Sequence, residues 1–498
     1  MNAERFFTNS LRDPRVARIL AAALDAVEPG AVVERYLTSN PLPPANRIYA
    51  LGLGKAAVPM TRALSRFTEL TRALVITKHA SPLDPSTSLT VRPASLRRRA
   101  ASAGTPVRVP HNHGVRDGRT RFEPATIMEG GHPVPDARSL AAGEAALEFV
   151  SALREDDLLV CLISGGGSAL MTMPIMPLED MQALTSALLA CGARIDEINA
   201  LRRHLDRVKG GGIAQTTKAR VLSLILSDVV GSPLEAIASG PTAPDPTTKE
   251  DALAVLENYD LLSANTLAGI RPRELTPISS DISEDWRRLA DSIIKSLKAN
   301  AETPKHNNPI FSRVQNVIVG DNALAVQAAL QQAQKEGFYS ESLGSGWQGE
   351  AREVGVELTQ RLRVTIKQVS RPFCLIAGGE TTVTLRLRRQ ESAAPLRDTA
   401  QGYGGRNQEL ALAAVPALAG MENILLVSLA TDGEDGPTDA AGAVVSGETL
   451  QRAERLGLDV AGHLSGHDAY PFFERLGDLI RTGPTGTNVN DLVFLLAL

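Results

Sequence analysis

The residues best placed to do chemistry stand where apolar runs end. In LLVCLISGGGSALM, Leu158 to Met171, an apolar run gives way to Ser164, Gly165, Gly166, Gly167 and Ser168 before helix-forming residues resume. That pattern predicts a buried strand, a glycine turn and the start of a helix. Consecutive glycines reach positive φ and turn their amides toward one point, so the loop reads as an anion cradle, with a tight turn that binds nothing as the alternative. No Gly-Lys-Ser/Thr follows, which separates it from a Walker A loop. Isolated cations accompany it: Lys55 in RIYALGLGKAA, Lys209 in INALRRHLDRVKGG beside Arg202, Arg203 and His204, and Arg406 in GYGGRNQEL beside Asn407 and Glu409. Isolated acids end other runs: Asp228 after VLSLIL, Glu380 after Gly378-Gly379, and Asp432 after ILLVSLA, followed by Asp435 and Asp439 in one glycine-rich loop. Three carboxylates in a loop suit a hard cation, and solvated turn acids explain two of them equally well. Donors for phosphate oxygens, a cation for developing charge and an acid that holds Mg²⁺ or orients a hydroxyl are the parts that phosphoryl transfer needs.

Other motifs weigh less. Gly52, Gly54 and Ala57 match the dinucleotide fingerprint G-x-G-x-x-A, but the next apolar run, ALVIT, ends in Lys78 where a ribose requires an acid. GGHPVPD sets His132 between glycine and proline, where it either points into a site or caps the turn. No G-x-S-x-G elbow supplies a nucleophile for a hydrolase.

The elements that must carry these residues alternate strand and helix, which predicts an α/β chain. Its 498 residues suggest two or three domains, and 43% hydrophobic against 22% charged residues fit a globular enzyme rather than a disordered chain. The first helix is expected over about 14 to 37, with later helices near 138 to 152, 179 to 193 and 282 to 299. The segment from about 96 to 121, rich in Arg, Pro and Gly, reads as an inserted surface loop. A second α/β unit is expected to open at NVIVGDNALAVQAAL. In FCLIAGGETTVTLRLR the glycines are expected to turn the chain into a hairpin with an alternating strand from Thr382 to Leu387, hence a mixed sheet. These readings give domains at 1–262 and 309–498 with 263–308 between them. A net charge of −4 gives no global reason for nucleic acid or a membrane surface as partner. No run is long and apolar enough to span a bilayer. Cys161, Cys191 and Cys374 lie far apart in apolar segments, as reduced thiols in a cytoplasmic protein would. The arginine-bearing N-terminus leaves a mitochondrial address open, with Glu4 and Asp13 counting against it.

Taken together, ISGGGSAL, INALRRHLDRVKGG, SDVVGSPLEAIASGPTAPDPTT, GGETTVTL, GGRNQELALA, TDGEDGPTDAAGAVV and TGPTGTNVNDL resemble the glycerate 2-kinases, whose C-terminal part is the MOFRL domain. The resemblance implies two α/β domains, one Rossmann-like with a parallel sheet flanked by helices and one with a mixed sheet, and an active site in the cleft between them. It implies transfer of the ATP γ-phosphoryl group to the 2-hydroxyl of D-glycerate with Mg²⁺, by a monomer or homodimer. Lys55 and Arg406 match the family's proposed catalytic or substrate-binding pair. On that basis Lys55, Arg406 and Asp228 are expected to be catalytic, and Ser164 to Ser168 with Lys209 to hold the nucleotide. Arg406, Lys55, Asn407 and Glu380 are expected to hold the substrate, and Asp228 with Asp432 the metal. Ser232, Ala377 and Ala469 depart from the family pattern. The rival readings are an NAD(P)-dependent hydroxypyruvate reductase using Gly52, and a non-catalytic binding protein for a small hydroxy acid.

Overall fold

The computed structural model describes residues 1–78, 125–259, 261, 282–385 and 402–498, with the backbone alone over 282–287. The segment 96–121 and the loop expected over 388–401 lie outside the described residues. The chain divides into two compact units, one of Leu37–Leu224 with Leu234–Val317, the other of Met1–Tyr36, Ile225–Pro233 and Ile318–Leu498.

The first sheet has six strands: β1 (Ile48–Leu53), β2 (Arg72–Thr77), β3 (Ala125–Glu129), β4 (Leu158–Ile163), β5 (Arg220–Leu226) and β6 (Val314–Gly320), in the order β3-β2-β1-β4-β5-β6. β1 runs parallel with β2 and β4, and β2 with β3. β1 and β4 are buried along most or all of their length, as strands covered by helices on both faces must be. A parallel sheet collects its carboxyl ends on one edge, so Lys55, Lys78, His132 and the triglycine loop all follow strands that finish on the same side.

The second sheet holds β7 (Tyr339–Glu350), β8 (Phe373–Thr382), β9 (Ile424–Ala430), β10 (Gly442–Ser446), β11 (Leu479–Ile480) and β12 (Asp491–Ala497), in the order β11-β10-β9-β12-β8-β7. It is mixed: β7 and β8 are parallel, while β12 is antiparallel to β8 and β9, and β10 to β9 and β11. The helices Ala351–Thr365 and Arg406–Leu418 cover a core that includes Leu358, Phe373, Leu412, Phe472 and Leu495.

Several expectations change. The helix over 14 to 37 is two helices, Pro14–Ala26 and Pro29–Ser39, because proline favours a first helical position and Val27 ends the preceding helix with non-helical angles. NVIVG does not begin the second sheet; it is β6, a strand of the first. Gly378 and Gly379 make no turn, since β8 runs straight through them. They admit close neighbours instead: a Cβ on Gly378 would stand 1.7 Å from Asn322 Oδ1, and one on Gly379 2.0 Å from the Trp347 carbonyl oxygen. The units also differ from the linear division at 262 and 309. The helix Ile282–Ala299 belongs to the Leu37–Val317 unit, where Leu289, Ile293 and Leu297 join a core with Leu184 and Leu201. The N-terminal 36 residues join the second-sheet unit.

Candidate functional site

In the first-sheet unit the loop after β4 is locked from below. Ser164 N–H donates to the Leu53 carbonyl at 2.8 Å, the Ser164 hydroxyl accepts Ala56 N–H at 3.0 Å, and Lys55 N–H donates to the Gly165 carbonyl at 2.9 Å. Gly54, at φ 118°, lets Ser164 come this close; a Cβ there would stand 2.3 Å from the Ser164 hydroxyl. That contact also bears on the dinucleotide fingerprint, because Ser164 fills the face of Gly54 that a pyrophosphate would approach. The amides of Gly165 and Gly166 donate to nothing among the described residues, and Gly166 turns at φ 82° into the four-residue helix Gly167–Leu170. Unpartnered amides on successive glycines form an anion-binding concavity. Ser168 meets Ser239 hydroxyl to hydroxyl at 2.6 Å, and Ser239 donates to Asn199 at 3.4 Å. The Lys55 ammonium is exposed and has no partner among the described residues.

Lys209, expected with the nucleotide, is buried and paired. The basic helix ends at His204, and Lys209 follows in a turn, 5% exposed, donating to Asp206 at 2.6 Å and Thr172 at 3.2 Å. Burial pulls its pKa down while Asp206 supports the charge. It acts as the counter-ion of buried Asp206, which also accepts the amides of Met173 and Val208.

In the second-sheet unit, Arg406 opens the helix Arg406–Leu418. Its Nε and Nη2 donate to the Asp491 carboxylate at 2.6 and 3.2 Å, and its Nη1 to Glu380 at 2.8 Å. A guanidinium has five N–H donors, so two remain for a ligand. Burial opposes the charge on Arg406, but Asp491 and Glu380 outweigh it. Burial pushes Asp491 up to about 6, with Glu380 adding and Arg406 opposing. Asn407 is buried and serves the scaffold: its N–H and side-chain amide donate to Asp435 at 3.0 and 3.3 Å, and its side-chain oxygen accepts Ser428 at 2.7 Å. Asp435 also accepts Gln408 N–H at 2.8 Å, so a carboxylate from the next loop caps this helix.

The three acids of that loop therefore diverge. Asp435 caps the helix, Asp439 accepts Tyr470 and Arg481, and half-buried Asp432 accepts Glu434 N–H at its carboxylate. Among the described residues no group of three His, Cys, Asp or Glu side chains could hold a metal ion. Asp228 follows β5, half-buried, in the turn Ser227–Ser232, whose last two residues have positive φ. A cavity of about 1010 Å³ is lined by Asn9, Ser10, Met421, Glu448 and Arg452 among others and touches none of these residues. Open and polar, with Arg452 already spent on Ser10, Asp478 and the Leu476 carbonyl, it lacks the convergent free donors seen at the glycine loop.

Residues 15–269 match the family model described as a domain of unknown function, DUF4147, and residues 373–491 match the MOFRL family. A D-glycerate 2-kinase from Thermotoga maritima is 35% identical over 95% of this chain and 96% of its own length. The chain belongs to the glycerate kinase family. A crystal structure of glycerate kinase from the same organism covers 97% of this chain and 98% of that one, with a TM-score of 0.75 at 35% identity. A putative hydroxypyruvate reductase from Agrobacterium vitis is 37% identical over 78% of this chain and 79% of its own length. Within the family's two matched regions, Lys55, Ser164 to Ser168, Lys209 and Asp228 fall in the first, and Glu380, Arg406, Asn407 and Asp432 in the second. The first region also holds His132, beside Gly166, and Lys78, whose charge acts on His132; motif alone leaves both without a role. Their signal was present in the sequence as polar residues just after apolar runs.

Proposed function

We propose that the chain is a D-glycerate 2-kinase that uses Mg-ATP. The observation that carries this is the loop Ser164 to Ser168, where two amides and the neighbouring Lys55 ammonium have no partner among the described residues, in a chain of the glycerate kinase family. In this reading the amides and Lys55 take phosphate oxygens, and Lys55 offsets the charge that builds on the transferring group. The two spare donors of Arg406 take the glycerate carboxylate, with Asp491 and Glu380 holding the guanidinium in place. Lys209 supports the floor under the loop rather than touching the nucleotide, and Asn407 supports the helix that carries Arg406.

Magnesium fits as an ion that arrives with the nucleotide. It ordinarily keeps several waters and takes one or two carboxylates besides phosphates. Asp228 and Asp432 are the carboxylates assigned to it, and bound there it would neutralise charge on the phosphates. The reductase reading is disfavoured by Ser164, which fills the approach at Gly54, and by Lys78 at the end of β2. Cytoplasmic location belongs to the same proposal and is supported by three cysteines that form no disulfide.

The deciding assay mixes the purified protein with Mg-ATP and D-glycerate and follows the products by phosphorus NMR. The expected product is 2-phosphoglycerate. Accumulation of 3-phosphoglycerate would overturn the position of transfer, and oxidation of NADH with hydroxypyruvate in the absence of ATP would favour the reductase.

A further inference from the structure

Four neighbouring strand ends of the first sheet bring polar groups to one place. In the order β3-β2-β1-β4 they are His132 after Gly130-Gly131, Lys78, Lys55, and Ser164 to Ser168. The His132 ring lies along Gly166. A Cβ built on Gly166 would stand 3.2 Å from the ring Cδ2 and Nε2, and 3.4 Å from Lys55 Cγ. No hydrogen bond engages either ring nitrogen among the described residues, although the ring is half-buried. A partly buried imidazole with an idle nitrogen at the rim of an anion cradle has no structural task to explain it.

Its charge state is set by its neighbours. Burial lowers the His132 pKa, and Lys55 and Lys78 lower it further, to about 4. The nearby acids do not counter this: Asp136 is engaged by Arg138 and by the amides at the start of the helix Ala137–Ser151, and Glu129 lies 3.7 Å from Arg138. The imidazole is therefore neutral near pH 7, with a lone pair on one nitrogen.

We infer that His132 is a catalytic residue of the phosphoryl transfer, accepting at Nε2 the proton of the attacking glycerate hydroxyl. This rests on the kinase reading above. As the bond from the hydroxyl oxygen to the γ-phosphorus forms, the bond from that phosphorus to the β,γ-bridging oxygen breaks. The electron pair of the broken bond leaves with ADP. The hydroxyl proton ends on His132 and passes to water before the next turnover. Burial first, and the two lysines after it, keep the ring a weak base. Nucleotide phosphates arriving at Lys55 and Lys78 offset both cations and remove the lysines' share of the lowering, so the ring becomes a stronger base when ATP is bound.

Two measurements test this on the full chain. The ring resonances of His132, assigned by comparison with His132→Gln, are titrated by NMR with and without Mg-ADP; the expected result is a pKa raised by about one unit or more with nucleotide, and no rise overturns the inference. Glutamine can occupy the place of Nε2 but cannot take the proton. His132→Gln is expected to lower kcat by about 10²- to 10⁴-fold while both KM values stay within about threefold, and added imidazole is expected to restore part of the rate to His132→Ala but not to His132→Gln. A kcat for His132→Gln within about twofold of the unaltered protein overturns the inference and leaves the kinase reading standing. Failure of the unaltered protein to make 2-phosphoglycerate overturns the kinase reading, and this inference with it.

Discussion

Arg406 is at once a scaffold residue and the proposed carboxylate ligand, and its donors divide accordingly. Three go to Asp491 and Glu380 and two are spare. Lysine at this position would bring a point charge with no planar fork, so it cannot keep the Asp491 pair and also hold a carboxylate through two bonds. Arg406→Lys is expected to raise KM for D-glycerate by roughly 10- to 100-fold, the loss of one or two charge-assisted hydrogen bonds. KM for ATP is expected to stay near that of the unaltered protein, as steady-state kinetics with each substrate varied would read. A rise in KM for ATP in place of glycerate would mean that the two ligands have been assigned to the wrong residues. At this scale the sequence was informative about which residues carry charge and much less about what each charge meets. Lys209 and Asn407 look like ligands in a motif; in three dimensions Lys209 donates to Asp206 and Thr172, and Asn407 bonds with Asp435 and Ser428.

Elements were legible where the signal is local. An apolar run closed by a glycine turn announced β1 and β4, and one closed by an acid announced β5 and β9, and with them the strand-end residues. One misreading occurred where a glycine answers a distant neighbour: Gly378 and Gly379 are small because Asn322 and Trp347 approach them, which no window of sequence around the glycines reveals. The cap of the helix Arg406–Leu418 is non-local in the same way, since the carboxylate comes from Asp435. Burial pushes Asp435 up to about 7, against the pull of the Asn407 and Gln408 amides. The folded chain thus retains a proton that the unfolded chain releases near its ordinary value of about 3.9, and the slope of stability with pH has the sign of protons bound unfolded minus folded. Asp435 therefore contributes stability at acid pH that is lost as pH rises through about 7. Urea unfolding between pH 5 and 8 should show Asp435→Asn gaining on the unaltered protein as pH rises. The opposite slope would mean that the helix N-terminus holds the carboxylate charged and prevails over burial.

At the scale of the whole chain, order in sequence and order in space separate at the N-terminus. The family matches follow the linear order, yet Met1–Tyr36 belongs to the same compact unit as Ile318–Leu498. Helix Pro14–Ala26 buries Val16, Ile19, Leu20 and Leu24, and Arg18 pairs with Glu336 at 2.6 Å. Arg15 stacks on Phe338, the Ser10 amide donates to Asp478 at 2.7 Å, and Thr487 donates to the Val27 carbonyl at 2.6 Å. The four large side chains at about 1.5–3 kcal/mol each amount to a gross stabilisation on the order of 6–12 kcal/mol. That matches the entire net stability of an ordinary domain, about 5–15 kcal/mol. A fragment 309–498, cut where the sequence alone places the domain boundary, exposes the surface that this helix covers. It is expected to bind a hydrophobic dye and to unfold without a cooperative transition. Supplying residues 1–36 as a separate peptide is expected to restore near-UV circular dichroism and a sigmoidal urea transition, whereas the same peptide with Leu20→Ala, which removes roughly 2–5 kcal/mol of packing, restores less. Cooperative unfolding of 309–498 by itself would show that the N-terminal helix decorates this unit rather than completing it.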